Sequence, residues 1–281
     1  MTFHLRRRVY GRRMMKLILS SACLALLCTP ALAQSTAYAD NLEATLHSGW
    51  QTDNGGHMAG LQLSLAPGWK TYWRSPGEAG IPPLFHWSGS ENVKSVRVHW
   101  PRPVVFLTNG LQSIGYHDDV TLPLEVTAID PGKPVVLRAH VELGICRDIC
   151  LPAMIELSSL LTAPGASNTY IKTALEARPA SADTAGLTSI ACTIDPIADG
   201  LKITAVMLMP ALGTFETVAF ESGQPDIWVA EAITTRTGGT LTSVTEMVAP
   251  TGTPFALDRS QITLTVIAND NAIEIRGCPA P

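Results

Sequence analysis

The chain has 281 residues, with 20 Lys and Arg against 24 Asp and Glu, a formal charge of −4. Hydrophobic residues make up 46%, enough for one large or two modest cores, and low-complexity stretches are absent. No basic stripe is present, which argues against nucleic acid as a partner.

The chain opens with Arg6, Arg7, Arg8, Arg12, Arg13 and Lys16 and no acidic residue, followed by the apolar stretch Leu17 to Leu27. Thr29-Pro-Ala-Leu-Ala33 then places small residues ahead of Gln34. This is the three-part layout of a secretory signal peptide over residues 1–33, cleaved after Ala33. The leader holds six of the twenty basic residues, which leaves 14 against 24 acidic ones, a formal −10. No later segment reaches the roughly 20 apolar residues of a membrane helix, so stable membrane insertion is not expected. Ile203 to Leu212 comes nearest, bounded by Lys202 and broken by Pro210.

After the leader, short β-rich runs recur between turn residues. Leu61-Gln-Leu-Ser-Leu65 and Val93 to Trp100 alternate apolar and polar residues, as half-buried strands do. Leu122 to Val126 and Val135 to Val141 continue the series, and Pro67-Gly68, Ser75-Pro-Gly77, Asn109-Gly110 and Pro131-Gly132 mark turns. Regular short strands predict an all-β domain, a sandwich, over residues 34–163. Residues 164–186 read as a linker with a short helix at Asn168 to Ala177, stopped before Pro179. Strands resume at Leu187 to Ile194, Leu201 to Met207, Ile227 to Ala232, Thr240 to Met247, Gln261 to Ala268 and Ala272 to Arg276, a second small β-sandwich over residues 187–281.

Cys23 and Cys28 fall in the leader, and Cys146, Cys150, Cys192 and Cys278 remain. An even count in an exported chain reads as two disulfides, with three pairings open. The favoured pairing joins Cys146 to Cys150 and Cys192 to Cys278. The second bridge encloses 85 residues and ties the first strand of its domain to the last, so it reads as a structural staple. A bridge across three residues stabilises little in the loop-entropy account, and is therefore a candidate redox centre. Bridged Cα atoms lie within about 7 Å, whereas four residues of extended chain span about 13 Å. The chain must turn between Cys146 and Cys150, with Gly144 permitting the bend and Pro152 ending it. A bridge on so tight a turn is expected to be strained and more easily reduced. Arg147 favours a thiolate beside it and Asp148 opposes one.

Two rival readings stand beside this one. The pair is a purely structural hairpin bridge in a noncatalytic binding or scaffold protein, or Cys146, Cys150, Met154 and His140 form a soft donor set for copper(I). The sequence lacks a nucleophile elbow, a phosphate loop and a His-Glu-x-x-His pattern. No cofactor and no resident metal are expected.

Four stretches carry a family resemblance: Gly68-Trp-Lys-Thr-Tyr-Trp-Arg-Ser-Pro-Gly77; Gly80-Ile-Pro-Pro83 with Phe85-His-Trp87; Ile114-Gly-Tyr-His-Asp-Asp-Val-Thr-Leu-Pro123; and Gly144-Ile-Cys-Arg-Asp-Ile-Cys-Leu-Pro152. Over residues 40 to 162 the chain resembles the amino-terminal periplasmic domain of the DsbD thiol:disulfide interchange family, most of all its ScsB-like branch. The resemblance implies an immunoglobulin-like sandwich, a periplasmic location, and electron relay through Cys146 and Cys150 from a thioredoxin-like or membrane donor to disulfide-bearing periplasmic proteins. It implies that an aromatic residue caps the pair, for which the matching residue is Phe106, with Tyr116 contacting the pair or filling the core. The best-known members space the two cysteines more widely. Full-length members continue into a membrane domain and a thioredoxin-like domain; this sequence includes neither, so a separate protein is expected to supply electrons.

Overall fold

The structure, a computed structural model, describes residues 40–108 and 110–281; the leader reading and Asn109 lie outside the described residues. The described residues form a single unit by their contacts, built from four sheets.

The first half contributes β1 (Leu42–Gln51), β2 (His57–Leu65), β3 (Lys70–Tyr72), β4 (Leu84–His86), β5 (Val93–Val98), β6 (Val104–Thr108), β7 (Leu111–His117), β8 (Asp119–Ala128), β9 (Val135–Cys146) and β10 (Cys150–Leu161). One sheet runs β1-β2-β8-β5; the other runs β10-β9-β3-β7-β6, with β4 also paired to β9. Alternation drives the packing. Val135, Leu137, Ala139, Val141, Leu143 and Ile145 of β9 all face one way and are buried. They meet Leu61, Leu122, Leu124 and Val126 of the opposite sheet in one core. The even-numbered residues of β9 form the outer face, and Cys146 belongs to that face.

Helix α1 (Thr169–Glu176) follows, with the Asn168 side chain accepting from the backbone N–H of Ile171 at its start. Its buried Ile171 packs on Gly60, where a Cβ would stand 2.6 Å from Ile171 Cγ1. The second half adds β11 (Ala180–Ser181), β12 (Ser189–Pro196), β13 (Gly200–Leu208), β14 (Thr217–Glu221), β15 (Trp228–Val229), β16 (Ile233–Thr237), β17 (Thr240–Val248), β18 (Thr263–Ala268) and β19 (Asn271–Arg276). The sheets are β11-β19-β18-β14 and β12-β13-β17-β15, with β16 also on β17. The connecting segment is therefore laid onto both halves, with α1 against β2 and β8 and with β11 parallel to β19.

The two halves are in contact. Ala219, Ile267 and Ala272 of the second half pack into the core cluster of the first. Cys192 and Cys278 are bridged at a Cα–Cα distance of 5.4 Å inside the second core. Arg259 Nη1 donates to both their carbonyls, at 2.8 and 3.1 Å.

Candidate functional site

The ladder between β9 and β10 brings Cys146 opposite Cys150. They are bridged, with Cα atoms 4.1 Å apart. Arg147, Asp148 and Ile149 make the connection, and Arg147 N–H donates to the Ile149 carbonyl at 3.1 Å. The turn thus begins after Cys146, not at Gly144. Gly144 lies within β9, paired with Pro152 of β10. Pro152 is tolerated there because β10 ends its sheet.

Gly144 has a different use. A Cβ there would stand 3.1 Å from Ile81 Cβ and 3.3 Å from Tyr72 Cε2. Its bare backbone leaves room for the Tyr72 ring beside β9. On the other side Tyr72 pairs with Gly115 of β7. The ring reaches along this groove to the bridge. Tyr72 Oη donates to Cys146 Sγ at 2.9 Å, and Cys150 Sγ lies 3.5 Å away. Tyr72 is buried, and burial raises its hydroxyl pKa above the ordinary value. The phenol therefore stays protonated, and a donor, at neutral pH.

The two sulfur atoms have unequal surroundings. Cys146 is 2% exposed under Tyr72, whereas Cys150 is exposed. Cys150 is thus the cysteine open to an approaching thiolate, and Cys146 Sγ lies next to a hydroxyl proton. Ile149 beside Cys150 is exposed, and Ile81, Leu84 and Met154 are exposed farther along β9 and β10, so the outer face carries apolar side chains leading away from the bridge. Arg147 does not stand alone beside the bridge: its Cζ lies 5.6 Å from the Trp69 ring centroid, and its Nε donates to Asp148 at 2.9 Å.

The other predicted residues fall elsewhere. Phe106 is on β6, three strands from β9 in the sheet order. Its ring meets Lys70 Nζ, 4.9 Å from the centroid, and the edge of His117. Lys70 in turn stands opposite Cys146 in the β3–β9 ladder. Tyr116 is buried in the core and donates to the Pro101 carbonyl at 2.8 Å. His140 lies six residues before Cys146 on the extended β9, about 20 Å along the strand. Met154 is four residues past Cys150 on β10, about 13 Å. The soft donor set considered for copper(I) is therefore not assembled. Among the described residues no group of three or more His, Cys, Asp or Glu is placed to hold a metal ion, and no helix is long and apolar enough to cross a membrane.

Tyr72 is the hydrogen-bond partner of the bridge that spacing alone does not single out. It is 74 positions from Cys146, and only the β3–β9 pairing brings them together. The available signal was its place inside the Gly68-to-Gly77 motif, five residues before a Pro-Gly turn ends.

Comparison with known proteins agrees with this geometry. Residues 42–162 match the family model described as thiol:disulfide interchange protein DsbD, N-terminal. The match ends within one residue of the end of β10, so it spans the first sandwich. A similar solved structure is the crystal structure of the N-terminal periplasmic domain of ScsB from Proteus mirabilis, at 20% identity and a TM-score of 0.67. That likeness covers 88% of this chain and 96% of the other, so it takes in the fold of both sandwiches. The all-β, immunoglobulin-like expectation holds. A comparison with curated proteins found no match.

Proposed function

We propose that this protein is a periplasmic thiol–disulfide exchange module that relays electrons through Cys146 and Cys150. The observation that carries the reading is the asymmetric bridge: an exposed Cys150 joined to a buried Cys146 whose sulfur accepts a hydrogen bond from Tyr72.

The chemistry follows from that asymmetry. A thiolate of a thioredoxin-like or membrane donor attacks Cys150 Sγ in line with the bridge. A donor–Cys150 disulfide forms, the Cys146–Cys150 bond breaks, and its electron pair goes to Cys146. The Tyr72 hydroxyl stabilises the departing thiolate. The donor's second thiolate then attacks its own sulfur in the mixed disulfide and releases Cys150 reduced. Two electrons have moved, and solvent supplies the protons. In the forward step Cys150 thiolate attacks a disulfide in a periplasmic client. Cys146 then attacks Cys150 Sγ, re-forms the bridge and frees the client thiol. The exposed apolar Ile149 beside the bridge, with Ile81, Leu84 and Met154 farther along the same face, gives both partners a surface to rest on while the sulfurs align.

In this reading residues 1–33 are the export leader and residues 34–163 the exchange domain. Residues 164–186 connect it to a second sandwich, residues 187–281, held shut by Cys192–Cys278. The test is differential alkylation after exposure of the oxidised protein to a reduced thioredoxin-like donor. Label on Cys146 and Cys150 alone supports the proposal; both bridges intact after full donor turnover sink it.

A further inference from the structure

Two residues beyond Tyr72 the chain carries a charge that the exchange chemistry does not use. Arg74 Nε donates to Glu221 Oε1 at 2.8 Å, and its Nη2 donates to Glu221 Oε2 and to Glu274 Oε2, each at 2.9 Å. Glu221 ends β14 and Glu274 lies on β19, both in the second sandwich. The three side chains are only 21 to 24% exposed. Arg74 Cζ also lies 4.2 Å from the ring centroid of the fully buried Trp73, so the guanidinium is held from two sides.

A half-buried ion pair is poor evidence of stability, because desolvating the charges opposes most of what their attraction contributes. Its geometry is better evidence of position. Trp73 N–H donates to the Ile114 carbonyl at 3.0 Å, so the chain from Tyr72 to Arg74 is tied to β7 at one end and to the second sandwich at the other. The following segment then folds back over the tyrosine: a Cβ on Gly80 would stand 2.8 Å from Tyr72 Cδ1. That segment is anchored too, with Glu231 N–H donating to Glu78 Oε1 at 3.3 Å. The second sandwich therefore grips the chain at two points just after the residue that bonds Cys146 Sγ.

We infer that Glu221 and Glu274 are positioning residues for the redox pair, acting through Arg74 to hold the Tyr72 hydroxyl on Cys146 Sγ. This gives the second sandwich a role in setting the thiolate chemistry of the first. The inference rests on the proposed exchange role for its biological meaning, but its test needs no donor or client.

The test titrates Cys146 by ultraviolet thiolate absorbance in a Cys150→Ser background, with Cys192–Cys278 intact. Tyr72→Phe removes a hydrogen bond to the thiolate and raises the Cys146 pKa by about one unit. Glu221→Gln combined with Glu274→Gln raises it by about half a unit, a threefold loss of thiolate near neutral pH. Added to Tyr72→Phe, the same pair of substitutions produces no further rise. Glu274→Gln alone leaves the two-bond Glu221 grip in place and gives a smaller shift in the same direction, should the double variant not fold. The inference is overturned if the folded glutamine variants titrate like the parent, if their shift persists undiminished with Tyr72→Phe, if Tyr72→Phe itself leaves the pKa unmoved, or if Glu274→Gln alone abolishes folding. Each of these outcomes is read on the thiol itself, so it is separable from a failure of exchange with a donor.

Discussion

Tyr72 Oη donates to Cys146 Sγ at 2.9 Å, across 74 residues of sequence and between two neighbouring strands. The hydroxyl serves the bridge little while it is closed, because a disulfide sulfur is a weak acceptor. Its effect grows when Cys146 leaves as a thiolate, since a hydrogen bond to a charged acceptor is about twice as strong as a neutral one. Tyr72→Phe is therefore expected to keep the fold and slow reduction of the bridge by a thiol donor by about tenfold, one unit in leaving-group pKa or somewhat less. Stopped-flow reduction by dithiothreitol checks this; an unchanged rate would remove Tyr72 from the account.

Gly144 keeps the groove open for that ring. Gly144→Ala puts a methyl group 3.1 Å from Ile81 Cβ and 3.3 Å from Tyr72 Cε2, so both must shift by a few tenths of an ångström. The expected result is a small stability loss, about 1 kcal/mol, with a slower bridge reduction in the same direction as Tyr72→Phe. Reduction kinetics alongside thermal melts separate the two effects. A variant that loses stability but reduces at the parental rate would show that Gly144 serves packing alone.

The second bridge has the opposite character. Cys192 and Cys278 are almost fully buried and enclose a long loop. Replacing both by alanine is expected to cost about 2 to 4 kcal/mol of stability. Reduction of the Cys146–Cys150 bridge by dithiothreitol should stay within about twofold, because the leaving-group hydrogen bond is untouched. Denaturant melts and the same kinetics decide it, and loss of the fast reduction would tie the second bridge to the first.

The buried acids set the acid limit of stability. Burial opposes the charge on Glu216, but hydrogen bonds from Arg236 and from the Leu212 N–H outweigh it and lower the pKa. Burial likewise opposes the charge on Glu274, and the charges of Arg74 and Arg276 with their hydrogen bonds lower it overall. For both groups the folded pKa lies below the unfolded one. Their stabilisation is therefore complete above the unfolded pKa and is lost as pH falls through the folded values. Melting temperature should decline steeply on the acid side of the ordinary glutamate range. Glu216→Gln should melt lower than the parent at neutral pH and show a flatter acid decline. A parallel decline in both proteins would contradict the assignment.

Much of this was legible in the chain, for identifiable reasons. The alternation in β9 and β13 predicts strands because one face of each is buried almost without exception. The cysteine spacing predicts the tight bridge, because a three-residue connection forces the turn. Other elements were hidden. β1 carries a register shift between His47 and Trp50, which breaks its alternation. β14 reads as a short apolar run, Val218-Ala219-Phe220, with no period to mark it. The partner of the bridge was hidden most deeply, since Tyr72 meets Cys146 only through strand pairing. Phe106, chosen as the residue matching the family's aromatic cap, instead receives Lys70 over its ring.

The central claim is that Cys150 is the sulfur that meets partners while Cys146 leaves and returns. Trapping of a thioredoxin-like donor, carrying a single attacking cysteine, tests it most directly. Cys146→Ser keeps the exposed sulfur and should accumulate a stable donor–Cys150 disulfide once the donor is presented as an activated mixed disulfide. Cys150→Ser, with its remaining sulfur under Tyr72, should accumulate little. Equal trapping by both variants, or trapping by Cys150→Ser alone, would contradict the account.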